Sequence, residues 1–438
     1  MNFKLCASGD LMLLHKFPEN YNYSELADII KQQDVRLTNI ESVVSNWDCH
    51  ASTFCGGSWV NTEPENIDEF DKYGFNLFSC ANNHSMDYSF NGLLSTIKEL
   101  ERRGWYYAGI GRSLKEASAP VYYECENFKG EKIKSALLSV TSTFIDAARA
   151  GDARDGIPAR PGVNPLRVKT KYLVSNEHFN QLKDIAAATY INGERDNARK
   201  IGSLPPEEEG SINFGGHFFV VDAEGKEGKF TYAHDADLNR IINEVKKAKE
   251  NADYVIVAVH SHQIKRASYT EPDYFLENFA HLCIDAGACA IIGGGTHQLK
   301  PIELYKGKPI FYSLGNFVFE TGMVKKYPAD FWDKYNYPKE WTVKEGLAKK
   351  TRNGTIGLEC DSSNYLSVIP IMEFEDEKLI SLKLLPIELG FNKERALKGL
   401  PIKADKNNAD RIFNQLNAIS SQYGTIFKNG EFITVKLD

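Results

Sequence analysis

Tyr254-Val255-Ile256-Val257-Ala258-Val259 runs straight into His260. Six apolar residues in succession spell a strong strand, and the imidazole that ends them puts a polar group at a strand's carboxyl end. Helical spacing flanks this strand, near 236–251 before it and at 274–286 after it, and strand-like runs follow at 288–292 and 309–313. The same alternation fills the start of the chain. Strand-like stretches at 3–8, 35–40, 75–80, 105–108 and 133–140 alternate with helical patterns at 24–33, 64–73 and 89–103, the last stopped by Gly104. This predicts a layered α/β architecture around a central sheet. Between 141 and 235 the pattern degrades around Pro158, Pro161, Pro165 and Pro205-Pro206, which reads as an irregular insertion or lid over the sheet. The expected organisation is a domain over 1–330 that contains the insertion, then a C-terminal α+β extension over 331–438 packed on the core. Strands at 365–374 and 379–385 and a helix near 409–421 belong to that extension.

Composition narrows the function classes. The 438 residues are 42% hydrophobic, 12% aromatic and 25% charged, ample for a buried core and unlike a disordered chain. With 59 acids against 52 bases the net charge is −7, which gives no reason to expect a nucleic-acid partner. No apolar run approaches the roughly 18 residues of a membrane span. Met1-Asn2-Phe3-Lys4-Leu5-Cys6-Ala7-Ser8 leads directly into Gly9-Asp10 without a signal-peptide pattern, so the expected location is cytoplasmic. The eight cysteines are too few for a disulfide scaffold at this length and read as reduced. Cys49-His50 with Cys55 resembles half a zinc site, but no second pair at finger-like spacing follows.

The chemistry sits where polar residues end apolar strands, because ligands of open α/β sheets bind at the carboxyl ends of strands. The first strand ends at Asp10, the second at Asn39 and Glu41, and the third at Asn82-Asn83-His84. The later ones end at His260 and at Gly293-Gly294-Gly295-Thr296-His297. Each alone has a plain explanation: Gly-Asp makes turns, and Asn caps helices. Carboxylates, an amide and imidazoles on five strand ends in succession point instead to a divalent cation such as Mn²⁺, Zn²⁺ or Fe²⁺.

These segments resemble the bacterial capsule-synthesis CapA, or PGA-cap, family, associated with poly-γ-glutamate and placed in the calcineurin-like metallophosphatase superfamily. The resemblance spans about 3–320. It rests on Gly9-Asp10, Asn39-Ile40-Glu41, Ala81-Asn82-Asn83-His84-Ser85-Met86-Asp87, Gly109-Ile110-Gly111-Arg112, Arg160-Pro161-Gly162-Val163-Asn164-Pro165, His260, Thr296-His297 and Tyr312-Ser313-Leu314-Gly315-Asn316-Phe317. It implies a calcineurin-like αββα sandwich holding one or two divalent ions (Mn, Zn, Fe or Co). Asp10 and His297 would bind the first metal, Glu41 would bridge, and Asn83 and His260 would bind the second. His84 would be the general acid or orienting donor, with Asp87 orienting it or capping the following helix. Two positions depart from the family pattern: Met12 replaces the histidine of the usual Asp-x-His, and Gly295 stands where a second-metal histidine is expected. His262, two residues beyond His260, falls on the same side if the strand continues and could supply that imidazole.

Arg160 and Arg167 flank a stiff proline turn and suit a bidentate grip on carboxylate or phosphate; with Asn164 and Asn316 they are the candidate substrate-binding residues. Gly109-Ile110-Gly111 is no dinucleotide loop, no Walker-type loop supports an amide ligase, and Ser313 lies in no nucleophile elbow. Two functions are expected as alternatives. One is a metal-dependent hydrolase of a phosphoester or of a γ-glutamyl or similar amide bond, acting on a small acidic substrate or a γ-glutamyl polymer. The other is a non-catalytic accessory of poly-γ-glutamate synthesis that binds metal or polyanion.

Overall fold

The computed structural model describes residues 2–437. Its organising strand is β1 (Asn2–Met12), followed by β2 (Val35–Ile40), β3 (Leu77–Ser79), β4 (Tyr106–Ala108), β5 (Val121–Glu126) and β6 (Lys132–Thr141). After the insertion come β7 (Tyr254–Ser261), β8 (Ala290–Gly295), β9 (Ile302–Tyr305), β10 (Lys308–Phe311), β11 (Asn316–Phe319), β12 (Leu366–Glu375) and β13 (Lys378–Glu388). One sheet has the order β13-β12-β1-β2-β3-β4, extended beyond β13 by two short strands, and the other the order β9-β10-β8-β7-β6-β5. Neighbours β1, β2, β3 and β4 run parallel, as do β6, β7, β8 and β10.

Side-chain parity explains how the sheets stack. In β7, Tyr254, Ile256 and Ala258 share one buried cluster with Phe3, Leu5 and Ala7 of β1, so these faces pack on each other. The alternate residues Val255, Val257 and Val259 join a second cluster with α3 (Asp235–Asn251) and α4 (Tyr274–Asp285). On the far side of the first sheet, Cys6 and Ile40 pack with α1 (Ser24–Lys31) and α2 (Ser89–Arg102). Two sheets therefore face each other with helices on both outer faces. His260 continues the parity of residues 254, 256 and 258 and so points into the gap between the sheets.

Asp10 reaches the same gap by a different device. The β1–β2 register pairs Ala7 with Leu37 but Asp10 with Asn39, one extra residue on β1. This β-bulge switches parity: Leu11 and Leu13 turn to the helix side, while Asp10 and Met12 turn inward. Gly9 sits in the bulge, where an added Cβ would come within 2.0 Å of the Gly315 carbonyl oxygen, so only glycine fits.

One expectation changes here. Residues 141–235 are not irregular: Ser211–Phe214, His217–Val221, Val168–Val174 and Gly228–Ala233 form a four-stranded sheet, with helices at Asn176–Thr189 and Gly193–Lys200. Neither helix buries a residue, so no apolar stripe marks them in the sequence. This unit docks on the helix side of the second sheet through Leu166 and Ala233, with Thr231 donating to Asp273 at the start of α4 at 2.6 Å. The C-terminal strands β12 and β13 are part of the first sheet. β12 pairs antiparallel with the first half of β1 over Asn2–Cys6, while β11 pairs with its second half at Asp10–Met12. Among the described residues no helix is long and apolar enough to cross a membrane.

Candidate metal centre

The strand ends converge on Glu41. Its carboxylate is fully buried, and neither oxygen has a hydrogen-bond partner. Two sets of potential ligands share it: Glu41 with His260 and His262, and Glu41 with Asp10 and His297. Within each set the ligand atoms lie within 4.8 Å of one another. On the first side, His260 Nε2 is 2.6 Å from Asn83 Oδ1, 3.2 Å from His262 Nε2 and 3.4 Å from Glu41 Oε1. On the second, Asp10 Oδ2 accepts the Gly295 N–H at 2.7 Å and Oδ1 accepts Asn39 Nδ2 at 2.7 Å. Asn39 also lies 3.3 Å from His260 Nδ1 and so links the two halves.

Electrostatics single out the same residue. Burial pushes the Glu41 carboxyl well above its ordinary range, and the neighbouring Asp10 and Asp87 carboxylates push it further. Burial also acts on Asp10, but the His260 and His297 imidazoles and the Gly295 N–H outweigh it, leaving that carboxyl below the usual range. Burial lowers His297 and, with the nearby imidazoles and Lys300, takes His262 well below the ordinary value, which keeps both rings neutral. Neutral imidazoles beside an orphaned buried carboxylate are a donor set that fits a divalent cation.

Backbone contacts aim these side chains. His297 lies at φ +60° and its Nδ1 bonds Asn316 Oδ1 at 2.9 Å, so Nε2 is left for Asp10 and Glu41. His262 follows the last residue of β7, its N–H donating to Thr143 Oγ1 at 2.8 Å. The absence of histidine at 295 also has a physical cause. Gly295 has φ +112°, and a Cβ there would lie 2.8 Å from the Ser261 carbonyl oxygen. At Gly294 it would lie 2.5 Å from Asp10 Oδ1. The end of β8 at Gly294-Gly295 runs too close to β1 and β7 for side chains, and the His262 ring stands beside His260 and Glu41 instead.

His84 and Asp87 form a separate buried pair, Nδ1 to Oδ2 at 2.7 Å. Asp87 also accepts backbone N–H groups from Gly56 at 2.9 Å and Val60 at 2.8 Å. Burial raises this carboxyl, while His84 and those donors oppose the shift. Asn82, by contrast, works within the turn, taking the His84 N–H at 3.0 Å and donating to the Ile40 carbonyl at 2.7 Å.

Above the cluster opens a cleft of about 380 Å³ with Met12, His84, His262 and His297 on its floor. Its roof comes from two segments that the sequence did not mark, Gly56–Val60 and 321–359, the latter including α5 (Val343–Lys350). They are joined by aromatic contacts. The Tyr327 ring stacks on Phe331 at 4.0 Å, and its hydroxyl accepts from Ser58 Oγ at 2.9 Å.

The four residues expected to grip substrate are placed elsewhere or otherwise engaged. Arg167 is bidentate on buried Asp237, with 2.7 and 2.9 Å contacts. Asn164 is buried and bonds Ser139, Ser118 and Arg240. Asn316 is buried between His297 and the Asn364 carbonyl. Arg160 is exposed and donates to the Arg149 carbonyl, and no contact among the described residues joins it to the cluster.

The family described as "Bacterial capsule synthesis protein PGA_cap" matches residues 4–321. The chain belongs to this family. The Sinorhizobium fredii protein y4sH, described as uncharacterized, is 31% identical over 97% of this chain and 90% of its own. PGA biosynthesis protein CapA of Bacillus subtilis is 25% identical over 61% of this chain and 48% of its own. Capsule biosynthesis protein CapA of Bacillus anthracis is 23% identical over 72% of this chain and 60% of its own. The chain thus spans about half to three-fifths of the two CapA proteins. The stretch matched by the PGA_cap family contains every residue of the candidate metal cluster and the His84–Asp87 pair. It ends where the 321–359 roof begins.

Proposed function

We propose that this PGA_cap protein is a metal-dependent hydrolase on a calcineurin-like αββα scaffold, cleaving a phosphoester or a γ-glutamyl or similar amide bond. The observation that carries this reading is Glu41, a buried carboxylate without a hydrogen bond, shared by two ligand sets. Asp10 and His297 would hold one divalent ion and Asn83, His260 and His262 a second, with Glu41 common to both. Bound there, Mn²⁺, Zn²⁺, Fe²⁺ or Co²⁺ supplies Lewis-acid polarisation and lowers the pKa of water to near neutrality.

The chain's own residues do the rest. Asp87 accepts a hydrogen bond from His84 Nδ1–H and stabilises the imidazolium, whose Nε2–H is the proton given to the departing oxygen or nitrogen. Asn316 holds His297, and Asn39 holds Asp10. The test is hydrolysis of a generic phosphodiester and a γ-linked glutamate oligomer by protein supplied with each metal in turn. Turnover that disappears in Asp10→Ala and falls in His84→Ala supports the proposal, and turnover that survives both contradicts it.

A second reading follows from the relatives, whose names concern capsule and PGA biosynthesis. The same centre would then serve as a non-catalytic metal or polyanion site of an accessory protein. Inactivity with every metal and both substrates, with oligomer binding retained, favours that role.

A further inference from the structure

The cleft does not stop at the metal centre. Beyond it, between α5 and the turn at 390–398, opens a second lobe of about 560 Å³. Both lobes are lined by Leu347, Thr351 and Glu359, so these three residues stand between them.

The lobes differ in charge. The far lobe is lined by Lys344, Lys393, Arg395 and Lys398, and none of the four pairs with a carboxylate among the described residues. Lys344 and Lys393 have no hydrogen-bond partner there either. Arg395 donates to the Gly322 carbonyl at 3.1 Å and reaches Met323 Sδ at 3.2 Å. Lys398 donates to the Glu359 carbonyl at 3.1 Å and lies over the Phe391 ring at 4.8 Å. Of the two acids in the lobe, Glu320 already accepts the Leu14 and His15 N–H groups through Oε2 at 2.6 and 3.1 Å. Only the Glu359 carboxylate remains, and it stands between the lobes. Arg103 and Arg112, by contrast, are matched to acids, Arg103 to Asp68 and Glu99 and Arg112 to Glu101 and Glu116. Four unneutralised cations in one hollow of a chain with net charge −7 are the setting an anion needs.

We infer that this far lobe is a binding subsite for an anionic end of the substrate, a carboxylate or phosphate. The inference rests on the hydrolase reading only for which end of the ligand reacts. Glu359 stands between the lobes, where its carboxylate can accept an N–H or O–H donor of the ligand. Val324, Tyr327 and Leu347 give the near lobe apolar walls.

The test is calorimetric titration of the full chain with γ-linked triglutamate and, separately, with glycerol 3-phosphate. At least one binds the wild type, and the Lys393→Glu/Arg395→Glu double variant weakens it by at least about tenfold. A control with the same charge change on α3, Lys246→Glu/Lys247→Glu, stays within about twofold, because those side chains lie outside the cleft. Binding of triglutamate alone identifies a carboxylate ligand, and of glycerol 3-phosphate alone a phosphate ligand. The inference is overturned if neither probe binds, if the double variant binds like the wild type, or if the control loses as much. Binding is read without turnover, so inactivity towards every substrate would remove the hydrolase reading and leave this result standing.

Discussion

The floor and the roof of the cleft are built by different rules. The floor is made mostly of polar side chains near the ends of strands, several of them fixed by hydrogen bonds to neighbouring residues. Asp10 takes the Gly295 N–H, His297 leans on Asn316, and His262 hangs from Thr143. The roof is made of aromatic side chains from 47–60 and 321–341, held by stacking and a few polar contacts such as Ser58 to Tyr327. A floor of this kind is preorganised, because its ligands lie on strands or within a few residues of their ends. A roof of this kind can change its lining without disturbing the sheets. Substitutions in the floor should alter chemistry and metal, and substitutions in the roof should alter stability and substrate range.

The sharpest break in that contrast would come from His84. His84→Ala is expected to lower turnover by about 10²–10⁴-fold while the metal content of the protein stays the same, since in the proposed reaction the imidazole supplies a proton and holds no ion. Steady-state rates beside elemental analysis check this. A loss of metal equal to the loss of rate would place His84 among the ligands.

Next comes the roof. Phe331 is fully buried beneath Tyr327, so Phe331→Ala should destabilise the protein by about 3 kcal/mol. Metal content should not change and KM should move more than kcat. Urea denaturation and substrate kinetics read both, and an unchanged KM would separate the roof from substrate.

His262→Ala sharpens the comparison inside the floor. It should remove the ion held with His260 and leave the one held by Asp10 and His297, halving the bound metal measured by equilibrium dialysis. Unchanged stoichiometry would make His262 a wall of the cleft only.

The smallest effect lies outside both regions. Asp237 is lowered to about 2: burial raises it, and Arg167 and Arg240 overcome that. A depressed folded-state pKa gives stability that is present above the unfolded value of about 4 and lost as pH falls through about 2. Asp237→Asn should therefore flatten the acid limb of the stability curve, seen in thermal melts between about pH 5 and 2.

What the sequence made legible follows the same division. Strand ends announce themselves, because a polar residue closing an apolar run needs no knowledge of distant contacts. Asp10, Glu41, Asn83, His84, His260 and His297 were all visible in this way, and the structure brings them together. The bulge that turns Asp10 inward was not visible, since register depends on β2. The glycine at 295 looked like a lost ligand until φ and the nearness of Ser261 showed that no side chain fits there. Arg167 and Asn164 looked free because their partners, Asp237 and Arg240, lie 70 or more residues away in the sequence. The roof carries no motif because stacking aromatics from 47–60 and 321–341 have no local spacing to betray them. The insertion hid for a related reason: its strands are short and its helices have no apolar face.

The central claim is that Glu41 is shared by two cations. Its most direct test is the stoichiometry of Mn²⁺ or Zn²⁺ bound at equilibrium by the wild type and by Glu41→Gln, with the melting temperature of each metal-free protein measured alongside. The account predicts two ions in the wild type and loss of both at micromolar metal in Glu41→Gln. It also predicts a metal-free melting temperature for the variant at least equal to the wild type's, since a buried carboxylate without a partner is replaced by a neutral amide. Equal metal binding by the two proteins would contradict it.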